Sequence, residues 1–393
     1  MLTTFDSSYA GHIDMENVGY EGTPVNDRWF GNEQLATVFP KAEAIAKAMD
    51  RLGFNTFWMA EHHFQPEGYE CIPNVIMLAL HLAHLTEKLR FGCGFNVTPM
   101  WHPLRLAEDF ATVDILTGGR VIFGVGRGYH TREVETFGSP LLDQPANRAL
   151  FEEQVELILK AMREETFSHH GQHYTIPAQV PYRGYQLKEL SVVPRPLHDV
   201  ECWQPIQSAS QRALDFMAKH HIKGVIGGGS AEGGAVHSVV EAWQETQARF
   251  GRQLELGEDL AFGYQFYISS SREQGIKEAG KFYQENLKIF APLRLVRAIT
   301  DQQIEDMADP KKAPTAGLPT IENAIDAGGV LCGTAEQIIT DLKAIEKRYP
   351  GLKRIITTLS VGTPQSVILE QMERFATEVM PAFQGRTAAA MVD

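Results

Sequence analysis

Between residues 55 and 129, three short apolar runs, NTFWMAEHHF, LRFGCGFNVTP and RVIFGVGRGY, alternate with two segments of helical character. Each run breaks off in glycine, proline or polar residues. The order strand, helix, strand, helix, strand constrains the fold more than any other feature of the chain. Strands that are apolar along their length need cover on both faces, and only a crossover helix can return the chain to start a parallel neighbour. Polar residues gather where these strands end: Glu61, His62 and His63 after the first, Asn96 and Thr98 after the second, Arg127 and Tyr129 after the third. In parallel α/β folds that edge carries the chemistry.

The alternation continues on both sides. TTFDSSY reads as a weak first strand, and residues 11–32, rich in Gly, Asp and Asn, as a long loop at its C-terminal end. Residues 34–52 place Leu35, Val38, Ala42, Ile45, Ala46 and Met49 at helical spacing before Gly53. A helix over 73–87 is apolar on nearly every side, so its outer face needs a cover. A third helix runs from Pro103 to the Gly118-Gly119 stop, and a fourth over 149–164. Later strands are read at PIQSAS, KGVIGG, AFGYQFYIS and RIITTLSV. The total is eight strands, which favours a closed (β/α)8 barrel (TIM barrel), with an open doubly wound sheet as the alternative. The chain is read as one domain, 1–393. Irregular insertions follow strands 4 and 7, at about 165–203 and 291–329, and each is a possible active-site lid.

A net charge of -13 with no Lys/Arg cluster argues against nucleic-acid partners and anionic membrane surfaces. The longest apolar run, residues 75–85, is too short to span a bilayer, and the N-terminus has no basic start followed by an apolar block. The expected location is cytoplasmic. Cys71, Cys93, Cys202 and Cys332 form no CxxC pair, so buried free thiols are expected rather than disulfides or a zinc site.

The motifs taken singly are weak. In GVGRGY the glycines allow close approach to the backbone and Arg127 suits a phosphate, but a tight turn with a solvated arginine explains the run equally well. The glycine-rich stretch 227–234 reads first as a flexible strand-to-helix link. His62-His63 after Glu61 invites a metal, yet adjacent strand residues face opposite ways and no further ligand set is visible, so no metal is expected. His81 and His84 share a helical face without a third partner. No G-x-S-x-G elbow is present, which weakens an acyl-transfer reading.

Taken together, AEHHF, HPLRLAEDFATVDILTGGRVIFGVGRGYHTREVETFG, PIQSASQRALDFMA, GTAEQIITDL and ERFATEVMPAF resemble the bacterial luciferase-like flavin monooxygenases, from about Leu35 to the C-terminus. The resemblance implies a (β/α)8 barrel that activates O2 with reduced FMN, delivered as a co-substrate by a separate NAD(P)H:flavin reductase. By position it makes His62 the catalytic histidine, for which a neutral imidazole would serve as base or hydrogen-bond donor. It puts Arg127 and Ser208 at the FMN phosphate, the serine at a helix start. It also implies a non-prolyl cis peptide at Gly94-Phe95 beneath the ring, and a cofactor-binding set of Gly94, Phe95, Asn96, Arg127, Tyr129, Gln207 and Ser208.

Two positions depart from the luciferases proper: Gly126 stands where they have cysteine, and Gln207 where they have glutamate. Light emission is not expected. Met100, Trp101, Tyr129 and aromatic residues of the insertions are candidate walls for an apolar substrate such as an aldehyde or ketone. The alternatives are a deazaflavin-dependent oxidoreductase of the same fold and a non-catalytic flavin-binding partner subunit. The helix over 73–87 is the expected homodimer contact.

Overall fold

The computed structural model describes residues 1–296 and 299–384. Residues 297 and 298 of the second expected insertion, and 385–393 of the expected 1–393 domain, lie outside the described residues.

Eight parallel strands close on themselves: β1 (Thr4–Tyr9), β2 (Thr56–Met59), β3 (Arg90–Cys93), β4 (Val121–Gly126), β5 (Cys202–Pro205), β6 (Lys223–Gly227), β7 (Leu260–Ile268) and β8 (Arg354–Thr358). Sequential neighbours pair, β8 pairs with β1, and β4 with β5, where Cys202 lies opposite Phe123 and Trp203 opposite Gly124. The fold is thus a (β/α)8 barrel, and closure leaves no long strand edge unpaired. Side chains alternate as a two-residue period requires. Trp58, Ile122, Trp203, Ala261 and Ile356 fill the interior, while Phe57, Phe91, Phe123, Phe262 and Ile355 pack outward under the helices. The buried indole of Trp58 donates to Asp6, which also pairs with Arg354.

The outer ring includes α1 (Val38–Leu52), α2 (Val75–Ala83), α3 (Pro103–Thr117), α4 (Gln144–Arg163), α5 (Gln211–His220) and α6 (Gly234–Arg249). α1 buries Val38, Ala42, Ile45, Ala46 and Met49 and stops at Gly53, whose φ of 79° needs a residue without a side chain. α2 is shorter than the helix expected over 73–87: Asn74 caps its start by accepting from the Met77 amide, and His84 follows its last residue as the C-cap. Most of its apolar girdle is covered within the chain, by the barrel core and α3, and Met77 is left 69% exposed. Among the described residues no helix is long and apolar enough to cross a membrane.

β5 lies three residues earlier than PIQSAS, so Gln207 and Ser208 stand in the loop before α5 rather than on the strand. Proline cannot donate to a ladder, and Pro205 is fitted as the strand's last residue. The segment between α4 and β5 forms two small hairpins, His169–His170 with Thr175–Ile176 and Pro181–Tyr182 with Tyr185–Gln186. It leaves a helix and enters a strand, so it lies at the strands' N-terminal end, where Asp114 accepts from the amides of Leu197 and His198.

The segment after β7 is built differently. α7 (Arg272–Phe290) packs on an added strand, Val330–Gly333, that pairs with the end of β7. α8 (Ala335–Arg348) supplies Ile338, Leu342 and Ile345 to the main core, and α9 (Gln365–Arg374) packs on α1. α7 instead holds the N-terminal loop: its buried Glu285 accepts from Arg28 and from the Gly19 amide and pairs with Lys288.

Candidate active site

A cavity of about 580 Å³ opens at the C-terminal ends of the strands. Its floor is formed by Ala60, Gly94, Phe95 and Gly126, and the Gly94-Phe95 peptide bond is cis. Gly126 keeps this floor low, since a Cβ there would stand 3.2 Å from the Phe95 Cβ. Val97, Leu141, Leu142, Leu293 and Leu295 give apolar walls, the last two from the segment after α7.

One end of the cavity is cationic. Arg127, after β4, donates to the neutral acceptors Asn147 Oδ1 (3.2 Å) and Gln144 Oε1 (3.3 Å). Among the described residues no carboxylate lies within ion-pair distance of it. Arg148, in the first turns of α4, lines the same end, 3.7 Å from Glu152. Burial presses the Arg127 pKa down, and the like charge of Arg148 adds to this. Opposite stand Gln207, Ser208 and Ser210, with Ser210 at the N-cap of α5, where backbone amides and the helix dipole favour an anion. The buried Gln204 contributes an amide oxygen without a partner to the wall. Two guanidiniums, two hydroxyls and a helix start form a cradle for a phosphate.

The other end is built around His62, which is 5% exposed and lines the cavity, whereas His63 turns away to stack on Phe137 and to meet Glu61. Both ring nitrogens of His62 are engaged. Nδ1 lies 3.3 Å from each oxygen of Glu133; Nε2 lies 2.9 Å from the Tyr129 hydroxyl and 3.3 Å from Glu70 Oε1. The Tyr129 hydroxyl donates to Glu70 Oε1 at 2.8 Å, so its oxygen is left to accept from Nε2–H. Gln65 Nε2 donates to Glu70 and Glu133, and His130 Nε2 lies 2.9 Å from Glu70 Oε2.

Burial works to lower the His62 pKa, but Glu70, then Glu133 and Glu61, outweigh it and the net direction is upward. Against the expected neutral imidazole, these carboxylates shift His62 towards its protonated form relative to a free imidazole. Burial alone would raise Glu70, yet His62 and His130 bring it down to about 2. Burial and then the Glu70 charge push Tyr129 well above the ordinary phenol value, so it stays a neutral donor.

Of the residues read from sequence, His62, Gly94, Phe95, Arg127, Tyr129, Gln207 and Ser208 line this one cavity. Asn96 does not. It is fully buried behind the wall, its Nδ2 donating to Gly124 O, which removes it from the lining set. Met100 and Trp101 are not walls either: Met100 packs with Val97, Val134 and Leu141, and Trp101 donates to Glu61. No residue of 165–203 lines the cavity: the insertion starts at the opposite end of the barrel and its first hairpin runs along the outside of α4, where Tyr174 meets Gln154 and His102.

Sequence reading missed Arg148, Ser210, Glu70, His130 and Glu133. Placing the start of α4 at Ala149 left Arg148 in a loop. Asp143 in fact caps the helix by accepting from the Ala146 amide, with Pro145 in the first turn, a signal readable in DQPANR. His62, Glu70 and His130 also place one ligand atom each within 4.8 Å of one another, close enough for an ion. The partners missing from the His62-His63 pair thus come from distant loops. As they stand, protons shared between these atoms satisfy them.

The family model for luciferase-like monooxygenases matches residues 16–350 of this chain. The uncharacterized protein y4vJ of Sinorhizobium fredii is 33% identical over 146 residues, 37% of this chain and 40% of that protein, so the match spans less than half of that relative's length. The oxygenase component of flavin-dependent trigonelline monooxygenase from Acinetobacter baylyi is 25% identical over 352 residues, 86% of this chain and 88% of that protein. The oxygenating constituent of 3,6-diketocamphane monooxygenase from Pseudomonas putida, solved in complex with FMN, has a TM-score of 0.72 at 15% identity, covering 97% of this chain and 98% of that one. That likeness is one of fold.

Proposed function

The chain belongs to the luciferase-like monooxygenase family, and on that premise we propose that it is an FMN-dependent monooxygenase of apolar organic compounds such as aldehydes or ketones. The observation that carries this reading is the polarity of one cavity, with an arginine end whose Arg127 has no carboxylate at ion-pair distance among the described residues, a floor of Gly94, Phe95 and Gly126, and a carboxylate-bound histidine end. These residues fit FMN. Arg127, Arg148, Ser208, Ser210 and the amides that open α5 would hold its phosphate; Gly94, Phe95 and Gly126 would underlie its ring. When bound in its reduced form, FMN supplies the two electrons by which O2 yields one oxygen atom to the substrate and one to water.

The chain's own part is to bind, enclose and handle protons. Leu141, Leu293 and Leu295 exclude water from their side of the cavity, which strengthens the polar interactions there. His62 donates a proton from Nε2, directly or through the Tyr129 hydroxyl, to oxygen leaving as water. The apolar lining favours a hydrophobic substrate. We further propose that a separate NAD(P)H:flavin reductase delivers the reduced FMN, supported by relatives named as an oxygenase component and an oxygenating constituent. We assign the chain to the cytoplasm as one barrel domain, and to a homodimer that uses α2 around the exposed Met77. Sedimentation showing a monomer at working concentrations would remove the dimer.

The test is a single turnover. Anaerobically reduced FMN is mixed with protein and then with labelled O2 and a panel of apolar aldehydes and ketones, without nicotinamide. Label in a product is the expected result. Absence of labelled product, together with tight binding of a deazaflavin in place of FMN, would assign the cavity to hydride transfer.

A further inference from the structure

A second cavity, of about 530 Å³, lies beside the first and shares Thr131 and Leu293 with it, and His62 does not line it. Gln65 and His130 form part of its inner wall, and Asn26, Asp27 and Arg132 stand exposed at its rim, so it is open to water. Between the two cavities runs a continuous hydrogen-bonded chain. His130 Nε2 faces Glu70 Oε2 at 2.9 Å; Glu70 Oε1 accepts from Tyr129 at 2.8 Å; the Tyr129 hydroxyl meets His62 Nε2 at 2.9 Å. A shorter link joins Glu70 Oε1 to His62 Nε2 at 3.3 Å. Glu70 lines neither cavity and is 1% exposed, and its two oxygens face the two sides, Oε2 towards His130 and Oε1 towards Tyr129 and His62.

We propose that His130 and Glu70 are a proton relay that recharges His62 from the second cavity while the first is closed over its ligands. The inference rests on the proposed function for what His62 does with the proton, but the connection itself does not depend on flavin. Once His62 has given up the Nε2 proton, the His130 Nε2–H bond breaks and an O–H bond forms on Glu70. After a half-turn of the carboxyl group, that O–H bond breaks and a new Nε2–H bond forms on His62, directly or through Tyr129. Water in the second cavity returns a proton to His130, so charge and atoms balance.

The geometry explains why such a route is needed. His62 is almost fully buried, its Nδ1 is held by Glu133, and its open side faces the first cavity, which flavin and substrate would fill. A proton arriving through that cavity would have to cross the substrate. The ionisable groups facing the relay are Glu61, Glu133 and His63 on the His62 side, and Glu67, Arg132, Asp27 and Lys288 on the His130 side. Each of those on the His62 side already has a partner within the fold, as do Glu67, Arg132 and Lys288.

The test uses the full chain labelled with ¹⁵N-histidine and saturated with oxidised FMN, which fills the first cavity without turning over, so that the readout stands apart from the proposed activity. Exchange of the His62 ring N–H with water is followed by NMR in wild type, His130→Ala, His130→Gln and Glu70→Gln. We expect both His130 variants to slow exchange by about 100-fold or more, the low end for removing a proton-transfer group. Added imidazole should restore the rate in His130→Ala, which leaves room for it in the second cavity, but not in Glu70→Gln. The same pattern is expected in turnover with reduced FMN, with a solvent isotope effect appearing in His130→Gln. Unchanged exchange in both His130 variants overturns the relay, as does slowing that imidazole leaves untouched in His130→Ala, which would mark a structural role. A wild type that relays protons but never oxygenates a substrate would instead sink the proposed function and leave the relay standing.

Discussion

The two ends of the main cavity carry opposite electrostatic designs. At the His62 end the imidazole is surrounded by Glu70, Glu133 and, farther off, Glu61, and each of these groups has hydrogen-bond partners inside the fold. At the arginine end Arg127 meets only neutral amide oxygens, Arg148 has a single carboxylate at 3.7 Å, and Gln204 has an orphaned oxygen. A buried charge neutralised by its own protein is suited to moving protons; one left without a counter-charge is suited to receiving an anion. The difference teaches that the cavity is polarised before anything binds.

The largest expected effect comes from removing the centre of the neutralised end. His62→Ala should retain binding of FMN, whose phosphate lies at the other end, and lose product formation by ~10²–10⁴-fold, with O2 diverted to hydrogen peroxide. Product formation at the wild-type rate would reduce His62 to a packing residue. In wild type, activity that needs protonated His62 should fall as pH rises through its elevated pKa, at a pH above the ordinary histidine range.

Next in size is a stability effect of the same end. Glu70 is brought from an ordinary value of 4.5 to about 2 in the fold. Its contribution is therefore present above pH 4.5 and is lost as pH falls from there towards 2, a difference on the order of 3 kcal/mol. Glu70→Gln should lower the unfolding free energy at neutral pH and flatten that acid limb. Denaturant titrations from pH 3 to 7, read at the two ends of the range, check both. Parallel acid limbs in variant and wild type would contradict the pairing.

At the arginine end, Arg127→Ala should weaken FMN by ~1.5–3 kcal/mol, tenfold or more, and leave riboflavin, which lacks the phosphate, nearly unchanged. Arg148→Ala should act in the same direction but less, because Glu152 already screens that guanidinium. Calorimetric titrations with the two flavins compare them. Equal losses for FMN and riboflavin would erase the contrast between the ends.

The barrel was legible because its strands are apolar throughout and its helices end at plain signals such as Gly53 and Gly118. His62, Arg127, Tyr129 and Ser208 were legible because parallel strands present their C-terminal ends to one side. Glu70, His130 and Glu133 were not, since they come from the loops and a short helix after β2 and β4, where no period constrains a side chain. YH directly after GVGRG was the available hint for His130. Asn96 was misplaced because its neighbours line the cavity while it turns inward to Gly124. The insertion at 165–203 was taken for a lid on length alone. A segment that follows a helix and precedes a strand belongs at the opposite edge, and its placement could have been reasoned from that order.

The polarity of the cavity is tested most directly by a crystal structure of the protein soaked with FMN. The expected result is a phosphate held between Arg127, Arg148 and Ser208, with the ring over Gly94-Phe95 and its far edge towards His62 and Tyr129. A phosphate found beside His62, or a flavin bound outside this cavity, would contradict it.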